Sequence, residues 1–356
     1  MPEKKKKILV HCCTNWNTSN FGDVLFAEMI VRYLLDAGFE AALYDPSPFV
    51  CDYLYKERGL ERYAFGMRAA DACLYFAGGY FGEHKKDKLA RRLIHFKRFM
   101  PFGIKAGLLR KKISVIGVGA GEHLWLPSRL TVKSVCKRSF AVTVRDAESA
   151  AYLRSIGVKR EIAVCSDIAQ TIDPADYCRE KPAFLREGKE YYFLHTDNRA
   201  DLARLYAEGL KEHFAARKNA VAVVGNDYKM NIDRAYAEAK EILGEDRVIR
   251  CDYVYPDGLC AVLSACKTVL TYKLHVGIIA SALGASVLSF YQHEKIPRYY
   301  AQIGQPGRCI ALAGARPEDV AAQVARYADE RFTLPPEVRD AAERNWRALD
   351  RYLQTV

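Results

Sequence analysis

The chain has 356 residues, of which 50% are hydrophobic, 12% aromatic and 27% charged. At roughly 100 to 200 residues per domain this length asks for two domains, and the balance excludes disordered, collagen-like and coiled-coil classes. The formal net charge is +11, and +10 of it falls between Lys85 and Lys112, where eleven Lys/Arg face one acid, Asp87.

No apolar run reaches the roughly 18 residues of a spanning helix, and Ile8 to Val10 after the opening lysines is too short for a signal-peptide core. A cytoplasmic location is expected. The 11 cysteines form no C-x-x-C pair and no zinc-finger spacing, so they read as reduced core residues. The adjacent Cys12 and Cys13 are assigned packing rather than redox chemistry.

Short β-rich apolar runs alternate with helical stretches, the pattern of βαβ units around parallel sheets. In the first half strands are predicted at Lys7 to Cys13, Glu40 to Tyr44, Ala72 to Ala77, Ile113 to Val118, Phe140 to Val144 and Ile162 to Cys165. A helix is predicted over Asp23 to Ala37, stopped by Gly38. Between Asp173 and Gly188 the periodicity fades among prolines, glycine and charges. A second series of strands follows: Tyr191 to His195, Ala220 to Val224, Val248 to Cys251, Thr268 to Thr271 and Ser286 to Phe290. The expected division is a first Rossmann-like domain over 1–175, a linker over 176–188, a second domain over 189–334, and a closing helix within 335–356 that packs back on the first.

In the basic stretch Lys85 to Lys112, residues such as Leu93, Ile94, Phe99, Ile104 and Leu108 alternate with the cations. This composition suits an interfacial segment on an anionic membrane. A solvated helix with an apolar core face is the plainer reading, and a polyanion partner is the third. No nucleic-acid motif accompanies the stretch, so nucleic acid is not expected.

Glycine-rich strand ends occur at Gly78-Gly79 and from Gly117 through Gly119 to Gly121. The second matches a dinucleotide fingerprint only loosely, because Glu122 stands where the last glycine belongs. The loop before the first helix holds Asn20, Gly22 and Asp23, which suit either an anion or sugar site or simple capping. The segment Thr268 to Lys295 is richer. A strand runs into Lys273-Leu274-His275, a small-residue helix follows, and the next strand ends at Tyr291, with Lys295 and Arg298 beyond. Gly258 to His293 contains no Asp or Glu, so a cation and a titratable ring at a helix amino end suit a phosphate or carboxylate.

The ordered set Asn20-Phe21-Gly22-Asp23, Gly78-Gly79, Gly117-Val118-Gly119, Val144-Arg145-Asp146 with Ser149, Ser166-Asp167 and Lys273-Leu274-His275 through Lys295 resembles the polysaccharide pyruvyl transferase family. The resemblance implies an α/β protein with two Rossmann-like domains in a GT-B-like arrangement, with a cleft between them. It also implies transfer of a pyruvyl group from phosphoenolpyruvate to a sugar as a cyclic ketal. The expected saccharide acceptor is a surface polysaccharide or its lipid-linked precursor; a lipid-linked one would lie at the inner face of the cytoplasmic membrane and would account for the stretch Lys85 to Lys112.

On this reading Lys273, Arg145, Arg199 and Lys295 are expected to anchor the donor's anions. Asn20, Gly22, Asp23, Gly78, Gly79, Gly119 and Tyr291 are expected to line the substrates. His275 is the general acid at the methylene carbon, and Asp167 accepts the second hydroxyl's proton. Asp146 orients Arg145 or caps the helix after it. No metal or other cofactor is expected. The chain departs from the family in having Lys273 where Arg is usual, which replaces a bidentate fork by a point charge, and Ala77 where a further glycine is common. The alternatives are a GT-B glycosyltransferase using a nucleotide sugar, which the acid-free stretch argues against, and a non-catalytic membrane-surface protein.

Overall fold

A computed structural model of the protein describes residues 5–16, 18–82, 88–121, 124–178 and 180–356. Asn17, Glu122 and, from the basic stretch, Lys85, Lys86 and Asp87 lie outside the described residues. The chain divides into two units, one comprising 1–19, 23–168 and 339–356, the other 20–22 and 169–338. The division thus falls at 168/169, and the stretch 176–188 lies inside the second unit.

The first unit runs β1 (Lys7–His11), α1 (Phe21–Asp36, its first two residues counted with the second unit), β2 (Glu40–Leu43), α2 (Pro48–Cys51), β3 (Ala72–Phe76), α3 (Leu89–Leu108), β4 (Lys112–Val118), α4 (Leu126–Arg138), β5 (Val142–Val144), α5 (Ala147–Ser155) and β6 (Ala163–Val164). Its sheet has the order β2-β1-β3-β4-β5-β6, with every pair parallel. All five residues of β3 are buried, as befits a strand covered by helices on both faces. Asp146 starts α5 by accepting a 2.7 Å hydrogen bond from the Ser149 amide. Cys12 and Cys13 are buried, and burial with the nearby Asp23 charge pushes both thiols well above their usual range. They pack rather than react.

The second unit runs α6 (Pro174–Tyr177), β7 (Glu190–His195), α7 (Ala200–Ala216), β8 (Ala220–Gly225), α8 (Asp233–Leu243), β9 (Val248–Cys251), α9 (Pro256–Ala265), β10 (Thr268–Thr271), α10 (Leu274–Ala282), β11 (Ser286–Tyr291), α11 (Lys295–Gln302), β12 (Cys309–Ala311) and α12 (Pro317–Tyr327). Its sheet order is β12-β11-β10-β7-β8-β9, again all parallel. The winding reverses between β7 and β10, where an open α/β sheet leaves a crevice at the strands' carboxyl ends.

The last helix, α13 (Pro336–Leu353), belongs to the first unit from Arg339 onward. Its buried Asn345 accepts from Thr143 Oγ1 at 2.6 Å and donates to the Ser166 carbonyl at 3.0 Å. Trp346 stacks on Tyr33 at 4.5 Å between centroids, and Tyr352 donates to the Cys73 carbonyl.

The eleven predicted strands are all present, with ends displaced by two residues at most. The first strand stops at His11 because Cys13 turns into a left-handed conformation, φ +53°. β12 carries no sequence signal, being a half-exposed edge strand of three residues.

His11, at the end of β1, is fully buried among the rings of Tyr44, Tyr75, Tyr80, Phe99 and Phe102. Burial pushes its pKa down to about 3; a hydrogen bond at the Arg98 backbone opposes this and the Arg98 charge adds to it. The folded state therefore resists a proton that the unfolded chain accepts below the ordinary value near 6.5. Stability from this group is complete above that pH and falls as the pH drops toward 3, by roughly 3 kcal/mol at pH 4. Denaturant titrations of the wild type and His11→Phe at pH 7 and pH 4 should show this extra acid loss in the wild type alone. Equal losses in both would refute the assignment.

Candidate functional site

The residues with the strongest chemistry gather at the carboxyl ends of β7, β8 and β10. β7 delivers His195, followed by Asp197 in a left-handed turn, φ +50°. β8 is followed by Asn226 and Asp227, both buried. Asn226 shapes that loop, donating to the carbonyls of Tyr228 and Met230 and accepting from the Tyr253 amide. β10 leads through Tyr272 to Lys273, the residue that opens α10.

Lys273 Nζ lies 3.0 Å from Asp227 Oδ1 and 3.3 Å from Asp197 Oδ2. The rings of Tyr228 and Tyr272 face it at 4.6 and 5.3 Å. Burial by itself lowers the lysine's pKa, but Asp227 and Asp197 outweigh it, so the net shift is upward and Lys273 is a permanent cation. His195 stacks on Tyr272 at 5.2 Å, and its Nε2 is 3.3 Å from Asp227 Oδ1 and 3.6 Å from Asp197 Oδ1. Burial lowers its pKa and the two aspartates more than reverse this. For Asp197, burial opposes ionisation, yet His195 and Lys273 hold its carboxyl below the usual range. Tyr272 donates its hydroxyl to Asp197 Oδ2.

The acid-free stretch Gly258 to His293 therefore does not make an acid-free site. The parallel sheet returns Asp227, 46 residues earlier in the chain, to Lys273, and Asp197 with it. His195, Asp197 and Asp227 escape a reading by motif; their one signal is position, at or just past the ends of two predicted strands in the second series.

His275 sits in the first turn of α10, partly buried. Phe21 donates its amide to the Asp227 carbonyl at 3.0 Å. A Cβ on Gly22 would lie 2.6 Å from His275 Cγ, so only glycine admits the ring there. Asn20, Gly22, Asp227, Lys273 and His275 thus belong to one unit. Arg199 precedes α7, pairs with Asp201 at 2.7 Å and lies over Tyr272 at 5.4 Å. Arg199 and Tyr291 line a neighbouring recess of about 840 Å³ with Gln292 and Glu294. Lys295 begins α11 at an exposed position.

The remaining candidates belong to the first unit. Arg145 Nη1 is 3.4 Å from Asp167 Oδ2 and its Nε is 3.7 Å from Asp146 Oδ2, so Asp146 both caps α5 and approaches Arg145. A Cβ on Gly119 would meet the Arg145 guanidinium at 2.8 Å. Gly119 donates its amide to the Gly78 carbonyl at 2.8 Å. Gly78 adopts φ +75° against the Cys13 side chain, Gly79 is exposed, and Asp23 lies in the first turn of α1.

Two parallel six-stranded Rossmann-like sheets, with charged side chains at a switch point, define a protein of the GT-B fold. The chain resembles UDP-GlcNAc 2-epimerase from Neisseria meningitidis bound to UDP-GlcNAc, at TM-score 0.68 and 10% identity over 98% of this chain and 100% of that one. The corresponding enzyme of Methanocaldococcus jannaschii gives 0.66 and 12% over 98% and 100%, and the glycotransferase of kitacinnamycin 0.51 and 15% over 98% and 96%. No curated protein matches in sequence. The sequence profile of the polysaccharide pyruvyl transferases matches residues 20–294, and the chain belongs to that family.

Gly22→Ala should displace the His275 imidazole. Its ring ¹⁵N resonances, identified by their loss in His275→Gln, are expected to shift while the far-ultraviolet dichroism stays unchanged. Unmoved resonances would show that the ring is not seated against Gly22.

Proposed function

We propose that the protein transfers the pyruvyl group of phosphoenolpyruvate to a pair of hydroxyls on a saccharide, releasing phosphate and leaving a cyclic ketal. The observation that carries this reading is the pairing of Lys273 with His275 at the opening of α10, beside a switch point, in a chain of this family. The Lys273 side chain is a donor and makes no capping bond to its own helix, so the first amides of α10 are suited to an anionic donor group. Lys273 exchanges a carboxylate partner for that anion. Arg199 and Lys295 are nominated as further anchors in the second unit and Arg145 in the first.

His275 protonates the methylene carbon, and C2 becomes electrophilic. One sugar hydroxyl adds there and returns its proton to the His275 imidazole, phosphate leaves with the former enol oxygen, and the second hydroxyl closes the ketal. Asp167, oriented by Arg145, is the nominated acceptor for the second hydroxyl's proton. Tyr291, Gly78, Gly79, Gly119, Asn20, Gly22 and Asp23 are nominated as substrate-lining positions. These steps use side-chain acid and base groups.

A nucleotide-sugar donor is the second reading, favoured by Asp197 and Asp227, since carboxylates at strand ends suit ribose hydroxyls. Calorimetric titration separates the two. Phosphoenolpyruvate is expected to bind saturably, and Lys273→Ala to weaken it by about 10- to 100-fold, the worth of one hydrogen bond to a charged group. With a saccharide acceptor, His275→Gln should lower turnover by about 10²- to 10⁴-fold, the usual contribution of a general acid. Binding of a uridine diphosphate compound without binding of phosphoenolpyruvate would overturn the proposal.

A lipid-linked acceptor would place the protein at an anionic membrane, and α3 fits that role. Its Met100, Phe102 and Ala106 are buried, whereas Leu108 is 79%, Leu89 59% and Ile94 51% exposed, among the exposed cations Arg91, Lys97 and Lys105. Among the described residues no helix is long and apolar enough to cross a membrane. Neutralising Arg91, Lys97 and Lys105 to Gln should weaken binding to phosphatidylserine vesicles by about 100-fold, at roughly 1 kcal/mol per cation. Turnover of a soluble acceptor should be unchanged. Undiminished vesicle binding would remove α3 from this role.

A further inference from the structure

His195, Asp197 and Asp227 are buried, and one ligand-type atom from each lies within 4.8 Å of the others. The imidazole Nε2 stands 3.3 Å from Asp227 Oδ1 and 3.6 Å from Asp197 Oδ1. Both Nε2 and Asp197 Oδ1 are sealed from solvent and make no hydrogen bond with any described residue. The other face of the ring fixes their character. His195 Nδ1 is 3.0 Å from Thr271 Oγ1. That hydroxyl accepts from the Lys273 amide at 3.1 Å and points its own hydrogen at the Lys273 carbonyl, 3.4 Å away. With the Thr271 hydrogen turned to the Lys273 carbonyl, Nδ1 is the donor in the His195–Thr271 contact, and in the neutral ring Nε2 then offers its lone pair toward the two carboxylates.

The Lys273 ammonium already meets Asp227 Oδ1 and Asp197 Oδ2 from one side, and a cation among the three facing ligand atoms would relieve the repulsion that remains between them. The imidazole-to-carboxylate distances of 3.3 and 3.6 Å, with all three ligand atoms within 4.8 Å of one another, suit neighbouring ligands on one ion held about 2.0 to 2.2 Å from each. A histidine ligand whose second nitrogen donates to a fixed oxygen is the usual outer arrangement of such sites. We propose that His195, Asp197 and Asp227 bind a divalent transition-metal ion. One imidazole with two carboxylates suits zinc or manganese, between the soft thiolate sites and the all-oxygen sites of magnesium.

Lys273 borders this site through Asp227 Oδ1 and Asp197 Oδ2. With His195 neutral, two carboxylates and one ammonium leave a single negative charge; a doubly charged ion turns it into a single positive one. The cluster then favours an anion where it would otherwise repel one. The site stands whether or not the donor is phosphoenolpyruvate, because cation binding is read without any substrate.

The experiment uses the full chain stripped with chelator, titrated with ZnCl₂ by calorimetry and with MnCl₂ by electron paramagnetic resonance. One ion per chain is expected. His195→Ala and Asp227→Asn should each weaken binding by roughly 100-fold or more, and Thr271→Val, which keeps the shape and removes the ring's second partner, by about 10- to 100-fold. Lys273→Met should tighten it. Absence of saturable binding in the wild type would mean that a proton on Nε2 is the cation among the carboxylates, and would overturn the proposal. Binding that persists at full strength in His195→Ala and Asp227→Asn would place the ion elsewhere and overturn it equally.

Discussion

Parallel pairing of β7 with β10 is the constraint on which the chemistry of the second unit depends. These strands are neighbours in the sheet though three strands apart in the winding order, so their carboxyl ends open side by side and their connections diverge. His195 and Thr271 become hydrogen-bonded partners only through that register. From it follow the stacking of His195 on Tyr272, the approach of Asp197 to Lys273, and the convergence of Asp227 from the next strand along.

Lysine in place of the family's usual arginine takes its meaning from this setting. A guanidinium presents a flat fork that recognises one carboxylate or phosphate face to face. An ammonium is a compact charge that two oxygens from different directions can share, and Lys273 is shared between Asp227 Oδ1 and Asp197 Oδ2 while lying over two tyrosine rings. Lysine keeps the positive charge and gives up the flat fork.

Hydrophobic alternation and glycine punctuation report local backbone states, and those were legible: eleven strands, the helix over Pro336–Leu353, and Lys273 at the opening of α10. Contacts between distant segments leave no such trace. The 46 residues separating Asp227 from Lys273 made a carboxylate-rich site look acid-free when read along the chain. Gly22 shows the intermediate case. A motif singles it out, but the reason, room for the His275 ring, exists only in three dimensions. Gly119 is similar: a Cβ there would meet the Arg145 guanidinium, a contact that the loose fingerprint around it does not announce.

The placement of α13 bears on how the molecule is made. Asn345, Leu349 and Tyr352 are fully buried in the first unit, and Asn345 satisfies Thr143 and the Ser166 carbonyl there. During synthesis these side chains emerge only after the whole of the second unit has left the ribosome. The second unit can close once its residues up to Val338 are out, whereas the first must wait with part of its interior open. Domains usually fold in the order they are translated; here the later one is positioned to finish first, and the earlier one stays exposed to chaperones and proteases until its final helix arrives.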